Sequence, residues 1–490
     1  MKARIELAMA ALAGALVCAG APVAQAQGRS SDRLTTVVGD TNAGMIGIDP
    51  NQCIAAMLAS EREPHELGPS TQVLDLRLSR SAIEPAGYGY PYHDPFMATI
   101  TAAALNADGI TPGVKRQVVH VPVLPHRNGL PALEGRGYVS VALYRQRHPA
   151  PLLFILSGIG SSAYFGLGTH LAGLFHREGF HVAILPSPMN WDFALAASRS
   201  GAPGYPPEDA RDVYDTMQKT LAVLRARYDV DVRGVSFLGV SLGALEGAYL
   251  SVLDADEGKI GIEKYLLVNP PLDLEHAIET LDGWMASRES LGPERSARLR
   301  GKALAIVEAH AGEHRVDPAA VDSVVRDFSG FTTEELQYLI AQYVQMVLPE
   351  LVYVTQAIYD QHLLATPRDQ VRKRLAEARA FTLKDYTEKI GMPVWRREGM
   401  APSGDSAAVS QQGSLAPILD RLRGNPRVHI MHNADDILAD RQSIEALKEE
   451  MGDQMTLYPY GGHLGNLWYP PIRDQVLALF RPVLEARQAR

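Results

Sequence analysis

The sequence predicts an α/β fold, with a mostly parallel central sheet and helices on both of its faces. Two observations carry this prediction. Short, continuous apolar runs, as expected of strands that are buried on both faces, alternate with segments of helical periodicity. The alternation stops after one strand and resumes much later in the chain, with largely helix-like sequence between. One α/β domain divided by a helical insertion accounts for both observations.

Eight strands and several connecting helices follow from the periodicity. The first two strands are rich in Val with alternating polar residues, and the later ones are continuous apolar runs. The predicted strands are Gln117–Leu124, Tyr138–Tyr144, Leu152–Leu156, His181–Leu185, Val235–Leu238, Tyr265–Val268, Val428–Met431 and Met455–Tyr458. The predicted helices among them are Leu167–Arg177, Glu208–Arg227, Leu242 to about Leu253, Arg441–Glu450 and Ile472–Ala486.

The helical insertion sets the domain boundaries. Within it, Glu334–Val347 and Pro367–Arg379 show helical spacing. We therefore assign residues 116–272 to the first part of the α/β domain, residues 273–417 to the insertion and residues 418–490 to the second part.

The beginning of the chain has the pattern of an export signal. Lys2 and Arg4 precede an uncharged run over Leu7–Val23, which ends in the small-residue sequence Ala24-Gln25-Ala26. This predicts a signal peptide over residues 1–26 and a periplasmic location, with an uncleaved membrane anchor as the alternative. Residues 27–115 are then an N-terminal extension that packs on the main domain and is turn-rich and aromatic near its end.

Composition excludes several classes of protein. Two cysteines among 490 residues exclude a disulfide scaffold and a four-thiolate zinc site. A net charge of −9 argues against a large nucleic-acid interface.

His310, Glu313 and His314 match an H-x-x-E-H zinc pattern, but Gly312 weakens the helix and no third ligand is identifiable, so we interpret them as a solvated helix end. No metal or cofactor is predicted, and Cys53 is expected to be an inert buried thiol.

Residues 239–243 read Gly-Val-Ser-Leu-Gly and supply a candidate nucleophile, Ser241. The G-x-S-x-G pattern belongs to a sharp strand-to-helix turn that exposes the serine hydroxyl, where small flanking residues allow close approach of the backbone. The pattern alone is weak, but here a predicted strand precedes it and a predicted helix follows. An incidental serine in a glycine-bounded turn is the alternative.

A serine hydroxyl needs a base to remove its proton and an acid to orient that base. His463 is the best candidate base, because it lies in a glycine-rich loop directly after the last predicted strand. The acid should follow the preceding strand, where Asp435 and Asp436 are adjacent. An Asp followed by one variable and two apolar residues selects Asp435, with Asp436 as the alternative.

Acyl transfer also requires backbone N–H groups that meet the negative charge on the carbonyl oxygen. We expect one from Leu242, the residue after the nucleophile. The other should come from the glycine-containing loop after the third strand, with Ile159 as the expected donor and Gly160 as the alternative. A plain strand-to-helix turn would explain these glycines as well.

These motifs, in the order nucleophile, acid and base, resemble the α/β-hydrolase superfamily over residues 117–272 and 418–490. The loop at 461–465 resembles a branch that includes lipid and short-chain ester hydrolases. One departure is Ser157-Gly158, where many members have His-Gly, and the insertion lies where many members carry a lid or cap.

The resemblance implies a secreted serine hydrolase of carboxylic esters, with Ser241, His463 and Asp435 as its catalytic residues and Ile159 and Leu242 as its oxyanion hole. The implied partner is a small-molecule or lipid-like ester, with peripheral membrane contact compatible with the latter and no nucleic acid. The alternatives are an acyltransferase or serine peptidase that uses the same residues, and a non-catalytic binding module of the cell envelope.

Overall fold

The computed structural model describes residues 88–105, 114–130, 133–164, 166–310, 318–400 and 404–488. Its centre is one eight-stranded sheet with the order β1-β2-β4-β3-β5-β6-β7-β8. The strands are β1 Gln117–Val121, β2 Val139–Tyr144, β3 Ala150–Leu156, β4 His181–Leu185, β5 Val232–Val240, β6 Lys264–Val268, β7 Val428–Asn433 and β8 Met455–Tyr458.

The sheet is antiparallel at one edge and parallel elsewhere. β2 pairs antiparallel with both β1 and β4. The other neighbouring strands pair in parallel, namely β4 with β3, β3 with β5, β5 with β6, β6 with β7 and β7 with β8. Every residue of β3 and β4 is buried, because helices cover both faces of the sheet. The predicted α/β fold class is confirmed, and each of the eight predicted strands is present.

The five helices predicted for the α/β part begin and end close to the predicted positions, and two further helices, at residues 95–105 and 191–196, were not predicted. In chain order they are α1 Pro95–Leu105, α2 Leu167–Glu178, α3 Trp191–Ala196, α4 Pro206–Tyr228 and α5 Leu242–Glu257 before β6, and α14 Arg441–Met451 and α15 Pro470–Gln488 after β7. Alternate residues of β3 enter different layers. Phe154 packs in the layer formed with α4 and α5, and Ile155 packs in the layer formed with α2 and α15.

The chain between β6 and β7 contains no strand within the described residues and is helical. Its helices are α6 Leu274–His310 with a kink at Gly292, α7 Pro318–Phe328, α8 Thr333–Ile358, α9 Val371–Ala378, α10 Leu383–Asp385, a π-helix Tyr386–Gly391, α11 Met392–Arg397, α12 Ser406–Gln412 and α13 Leu419–Arg423. We call this segment the helical insertion. It shares the apolar cluster of β3 and β5 through Leu348, Leu351 and Val352 of α8.

Helix α8 is longer than the sequence predicts. The side chain of Thr332 and that of Glu335 form a reciprocal capping box at its start. The predicted end at Val347 is wrong, since the helix continues through Pro349 to Ile358. Burial of apolar side chains on both sides of the proline offsets the backbone hydrogen bond that a proline removes.

Helix α1 and residues 88–92 form the described part of the N-terminal extension. Tyr90, Tyr92 and Ala98 share an apolar cluster with Trp468, which follows β8, and with residues of α6, α7 and α8. This described part of the extension thus packs between the end of the sheet and the helical insertion. The predicted signal peptide, residues 27–87 and Cys53 lie outside the described residues.

Two further features of the described residues bear on function. No helix among them has the length and apolar character needed to cross a membrane. No group of three or more metal-ligating side chains occurs in this part of the chain either. Glu313 and His314 of the H-x-x-E-H pattern lie outside the described residues.

Candidate active site

Ser241 lies at a sharp turn between β5 and α5. Its φ of 54° and ψ of −126° are unusual for a residue with a side chain. A Cβ added at Gly239 would lie 2.2 Å from the carbonyl oxygen of Gly243, and one added at Gly243 would lie 2.3 Å from that of Leu156. Only glycine fits at both positions, which is the physical reason for the pattern around the serine.

His463 lies within hydrogen-bonding distance of Ser241. Its Nε2 atom is 2.8 Å from Ser241 Oγ, although the two residues are 222 positions apart in the sequence. The loop after β8 carries the histidine, and the turn after β5 carries the serine. The carboxyl ends of parallel strands meet at one edge of the sheet, and this edge brings together the serine and the histidine that the sequence analysis paired.

The carboxylate that contacts His463 belongs to Asp436. Both oxygens of Asp436 are 3.0 Å from Nδ1 of His463. Asp435 instead accepts hydrogen bonds from the backbone N–H groups of Gly461, at 3.2 Å, and Gly462, at 2.8 Å. The expected contact between Asp435 and His463 is therefore wrong, and the alternative, Asp436, makes it.

The local turn explains this difference. After β7, the backbone N–H of Asp436 donates to the carbonyl of Asn433, and the N–H of Leu438 donates to the Asp436 carboxylate at 2.9 Å. An aspartate that accepts from the backbone two residues ahead has a fixed side-chain direction. The apolar residues that follow both aspartates could not show which of them takes this position.

The two neighbouring carboxyl groups also differ in charge. Burial raises the pKa of Asp435 to about 7, despite the two glycine N–H groups. Burial also acts to raise the pKa of Asp436, but the charge and hydrogen bond of His463 hold it below its usual value. At neutral pH Asp436 is ionised, whereas Asp435 is near its titration midpoint. The ionised carboxylate is thus the one against the imidazole.

Two residues that the sequence analysis did not select lie behind Asp436. The side-chain amide of Asn269 donates to Asp436 Oδ2 at 2.7 Å and lies 3.5 Å from Nδ1 of His432. The other ring nitrogen of His432 lies 3.3 Å from the carbonyl of Pro270, and burial lowers the pKa of this histidine. Asn269 directly follows β6, at the edge of the sheet that carries the site, and this position was a usable signal.

The loop after β3 borders the serine hydroxyl. A Cβ added at Gly158 would lie 3.3 Å from Ser241 Oγ. Ile159 follows directly, and Gly160 has a φ of 65° and accepts a hydrogen bond from the side chain of Asn190 at 2.8 Å. Leu242 is the first residue of α5, where a backbone N–H has no partner within the helix. Both expected N–H donors thus lie in segments next to Ser241.

One face of α8 packs over the loop after β3. The hydroxyl of Tyr343 is 3.1 Å from Oγ of Ser161, and a Cβ added at Gly160 would lie 2.4 Å from the side chain of Val347. Four residues separate Tyr343 from Val347, so they share a face of the helix. The helical insertion is therefore in direct contact with the segment that carries Ile159.

A buried pair of carboxyl groups continues this contact. Glu350 of α8 lies near Asp192 of α3, and burial raises the pKa of Glu350 to about 8, with a further increase from the charge of Asp192. Burial raises the pKa of Asp192 to about 7. Within the described residues, one oxygen of each group is buried without a hydrogen-bond partner. Ionisation of the pair therefore opposes the packing of α8 on α3.

The Asp192–Glu350 pair predicts a pH-dependent stability. Both carboxyl groups keep protons in the folded protein that they release above about pH 4 in the unfolded chain, so stability falls as pH rises from there through about 8. In the unmodified protein, Tm should fall between about pH 6 and about pH 9, and Glu350→Gln should make this fall smaller, as measured by calorimetry. The control is Glu334→Gln, which changes an exposed residue of the same helix. Equal pH dependence in Glu350→Gln and the unmodified protein would contradict the prediction.

Comparisons with known proteins give structural likeness alone. No protein-family model and no curated protein matches the chain. Among solved structures, an esterase from Pyrococcus furiosus is 11% identical, with 76% of this chain and 93% of that one covered and a TM-score of 0.35. The α/β hydrolase GrgF from Penicillium is 16% identical, with 76% and 100% covered and a TM-score of 0.37. An esterase from Pyrobaculum calidifontis is 15% identical, with 79% and 92% covered and a TM-score of 0.36.

At these identities the likenesses assign no activity to this chain. The fold is defined by its own features, namely the eight-stranded mixed sheet, the serine turn after β5 and the later aspartate and histidine at the same sheet edge. The chain has the α/β-hydrolase fold.

Proposed function

We propose that this protein is a serine hydrolase that cleaves carboxylic esters. The observation that carries the proposal is the hydrogen-bonded series Ser241–His463–Asp436, with Nε2 of the imidazole 2.8 Å from the serine Oγ and Nδ1 3.0 Å from the carboxylate. A serine, an imidazole and an ionised carboxylate in this order are what nucleophilic acyl transfer requires.

In the proposed mechanism, Oγ of Ser241 attacks the acyl carbon while Nε2 of His463 takes the hydroxyl proton. The tetrahedral intermediate collapses, the C–O bond to the alcohol breaks, and His463 gives the proton to the departing alcohol. A water molecule then attacks the acyl-enzyme with His463 again as base, which releases the acid and restores Ser241. Asp436 stays ionised throughout and accepts a hydrogen bond from Nδ1–H of His463. This hydrogen bond keeps the imidazole in the productive tautomer.

The backbone N–H groups of Ile159 and Leu242 are the proposed partners of the oxyanion, with Gly160 as the alternative to Ile159. Support comes from the position of Gly158 against the serine hydroxyl and from the place of Leu242 at the start of α5. Donors fixed in the backbone stabilise the developing charge without rearrangement during the reaction.

The helical insertion supports a lipid-like acyl chain as the substrate group. Val347 packs directly against the loop after β3, and Met189 and Trp191 are buried on the core side of the same region. An apolar surround with a few fixed polar groups suits an acyl chain that ends in an ester. Export to the periplasm also belongs to this proposal, on the sequence pattern of residues 1–26.

Ser241→Ala tests the proposal. The variant should lose hydrolysis of p-nitrophenyl esters by a factor on the order of 10⁴ or more, because it lacks the hydroxyl that forms the acyl-enzyme in the proposed mechanism. Covalent labelling by a fluorophosphonate probe should disappear with it. Rates on p-nitrophenyl esters from acetate to long acyl chains, measured with the unmodified protein, should rise with chain length if the acyl group is lipid-like.

Ser251→Ala is the matched control, since Ser251 lies on α5 and its hydroxyl donates to the carbonyl of Ala248 in the same helix. This variant should keep both labelling and hydrolysis. Fluorophosphonate labelling of folded Ser241→Ala, or a folded unmodified protein that neither reacts nor hydrolyses esters, would overturn the proposal. A sharp preference for acetate would contradict the lipid-like acyl chain alone.

The two neighbouring aspartates predict different kinetic effects. Asp436→Asn should lower kcat on the order of 10³-fold to 10⁴-fold, because the amide can present a donor to Nδ1 and favour the wrong tautomer. Asp435→Asn should lower kcat by about tenfold or less, since the one amide oxygen can still accept the shorter of the two loop hydrogen bonds, that from the N–H of Gly462. Steady-state kinetics of both variants check this. An equal or larger loss in Asp435→Asn would show that the roles are assigned the wrong way round.

A further inference from the structure

The loop that carries His463 is bound to a helix from the other end of the chain. The backbone N–H of His463 donates to Oγ1 of Thr99 at 2.9 Å. The hydroxyl of Thr99 in turn donates to the carbonyl of Pro95 at 2.7 Å, one turn earlier in α1. Since the hydroxyl proton is committed to Pro95, its oxygen is directed as an acceptor toward the histidine N–H.

The glycines of the loop allow this close approach. A Cβ added at Gly462 would lie 2.2 Å from the carbonyl oxygen of Pro95, and one added at Gly465 would lie 2.4 Å from that of Ala98. The backbone of α1 thus excludes larger residues on both sides of His463. Close contact with α1 is therefore the physical reason for glycine at these two positions of the loop.

Aromatic residues before α1 bind the same loop at further points. The hydroxyl of Tyr90 donates to the carbonyl of Gly465 at 3.0 Å. The hydroxyl of Tyr88 donates to the carbonyl of Tyr460 and accepts from the side chain of Asn466 at 3.3 Å. The extension therefore holds the loop before, at and after the histidine.

Other residues of α1 pack on the helical insertion. The ring of Phe96 meets that of Trp284 of α6 edge to face, with the ring centroids 5.6 Å apart. Ala98 and Ile100 share a buried cluster with Phe328 of α7 and Leu339 of α8. Helix α1 is thus a direct physical link between the insertion and the histidine loop.

We propose that Thr99 is a positioning residue for His463, so that residues 88–105 are a working part of the active site. This inference rests on the proposed hydrolase function. Removal of the hydroxyl would leave the His463 N–H, which is half-buried, without its acceptor and would allow the loop to move. Displacement of the imidazole from Ser241 Oγ slows proton transfer more than it weakens substrate binding.

Thr99→Val tests the inference, because it removes the hydroxyl and keeps the shape of the side chain. We expect kcat to fall by about 10-fold to 100-fold with KM little changed, and the rate of fluorophosphonate labelling to fall in parallel. Thr99→Ser, which restores the hydroxyl, should recover most of the rate.

The matched control is Thr216→Val. The hydroxyl of Thr216 also donates to the carbonyl four residues earlier, at 2.7 Å, but it lies in α4 and not at the histidine loop. This variant accounts for the loss of the same local hydrogen bond in a helix, and we expect its kcat to stay within about twofold of the unmodified value.

Amide hydrogen exchange, measured by mass spectrometry, separates this inference from the proposed function. Peptides covering residues 460–468 should exchange faster in Thr99→Val than in the unmodified protein, Thr99→Ser or Thr216→Val, whether or not the protein is active. Unchanged exchange in these peptides would overturn the inference. An unchanged kcat in a variant that is only less stable would overturn it as well. An unmodified protein without esterase activity or labelling, but with faster exchange in Thr99→Val, would overturn the hydrolase proposal and leave the link between α1 and the loop standing.

Discussion

The geometry of the site depends on the hydrogen bonds of one imidazole. His463 lies between Ser241 and Asp436, and both contacts, at 2.8 Å and 3.0 Å, are within the ordinary range of hydrogen-bond distances. Each partner belongs to a different strand end, and each is fixed by its own local backbone. Ser241 is fixed by a turn that accepts only glycine two positions before and two positions after the serine. Asp436 is fixed by hydrogen bonds from the N–H of Leu438 and the side-chain amide of Asn269. A small change in any of these segments alters the distance over which the proton must move.

The charge distribution around the imidazole is as important as its contacts. Two adjacent aspartates lie close to one histidine loop, and their pKa values are shifted in opposite directions. Asp436, which contacts the imidazole, is ionised. Burial favours the neutral form of Asp435, which accepts hydrogen bonds from the loop amides. Two adjacent carboxylates would repel if both were ionised in this buried position, so the difference in pKa lets one side chain orient the base while the other holds its loop.

The sequence predicted the eight strands and most helix boundaries of the α/β part, because buried strands and amphipathic helices leave a direct pattern of apolar residues. It also paired Ser241 with His463 from their positions after β5 and β8. It could not separate Asp435 from Asp436, since the direction of each side chain depends on a turn of a few hydrogen bonds. Nor could it place Thr99 at the site, because this contact joins segments that only the folded chain brings together. Asn269 was not selected either, although its position directly after β6 was a usable signal.

The proposed mechanism depends most on the hydrogen bond that Nδ1–H of His463 donates to the ionised carboxylate of Asp436. An imidazole proton in such a charge-assisted hydrogen bond gives a far-downfield resonance in a one-dimensional proton NMR spectrum, well separated from the backbone amide signals. The structure predicts that this resonance is present in the unmodified protein and in Asp435→Asn, and absent in Asp436→Asn. Loss of the resonance in Asp435→Asn together with its survival in Asp436→Asn would contradict the account.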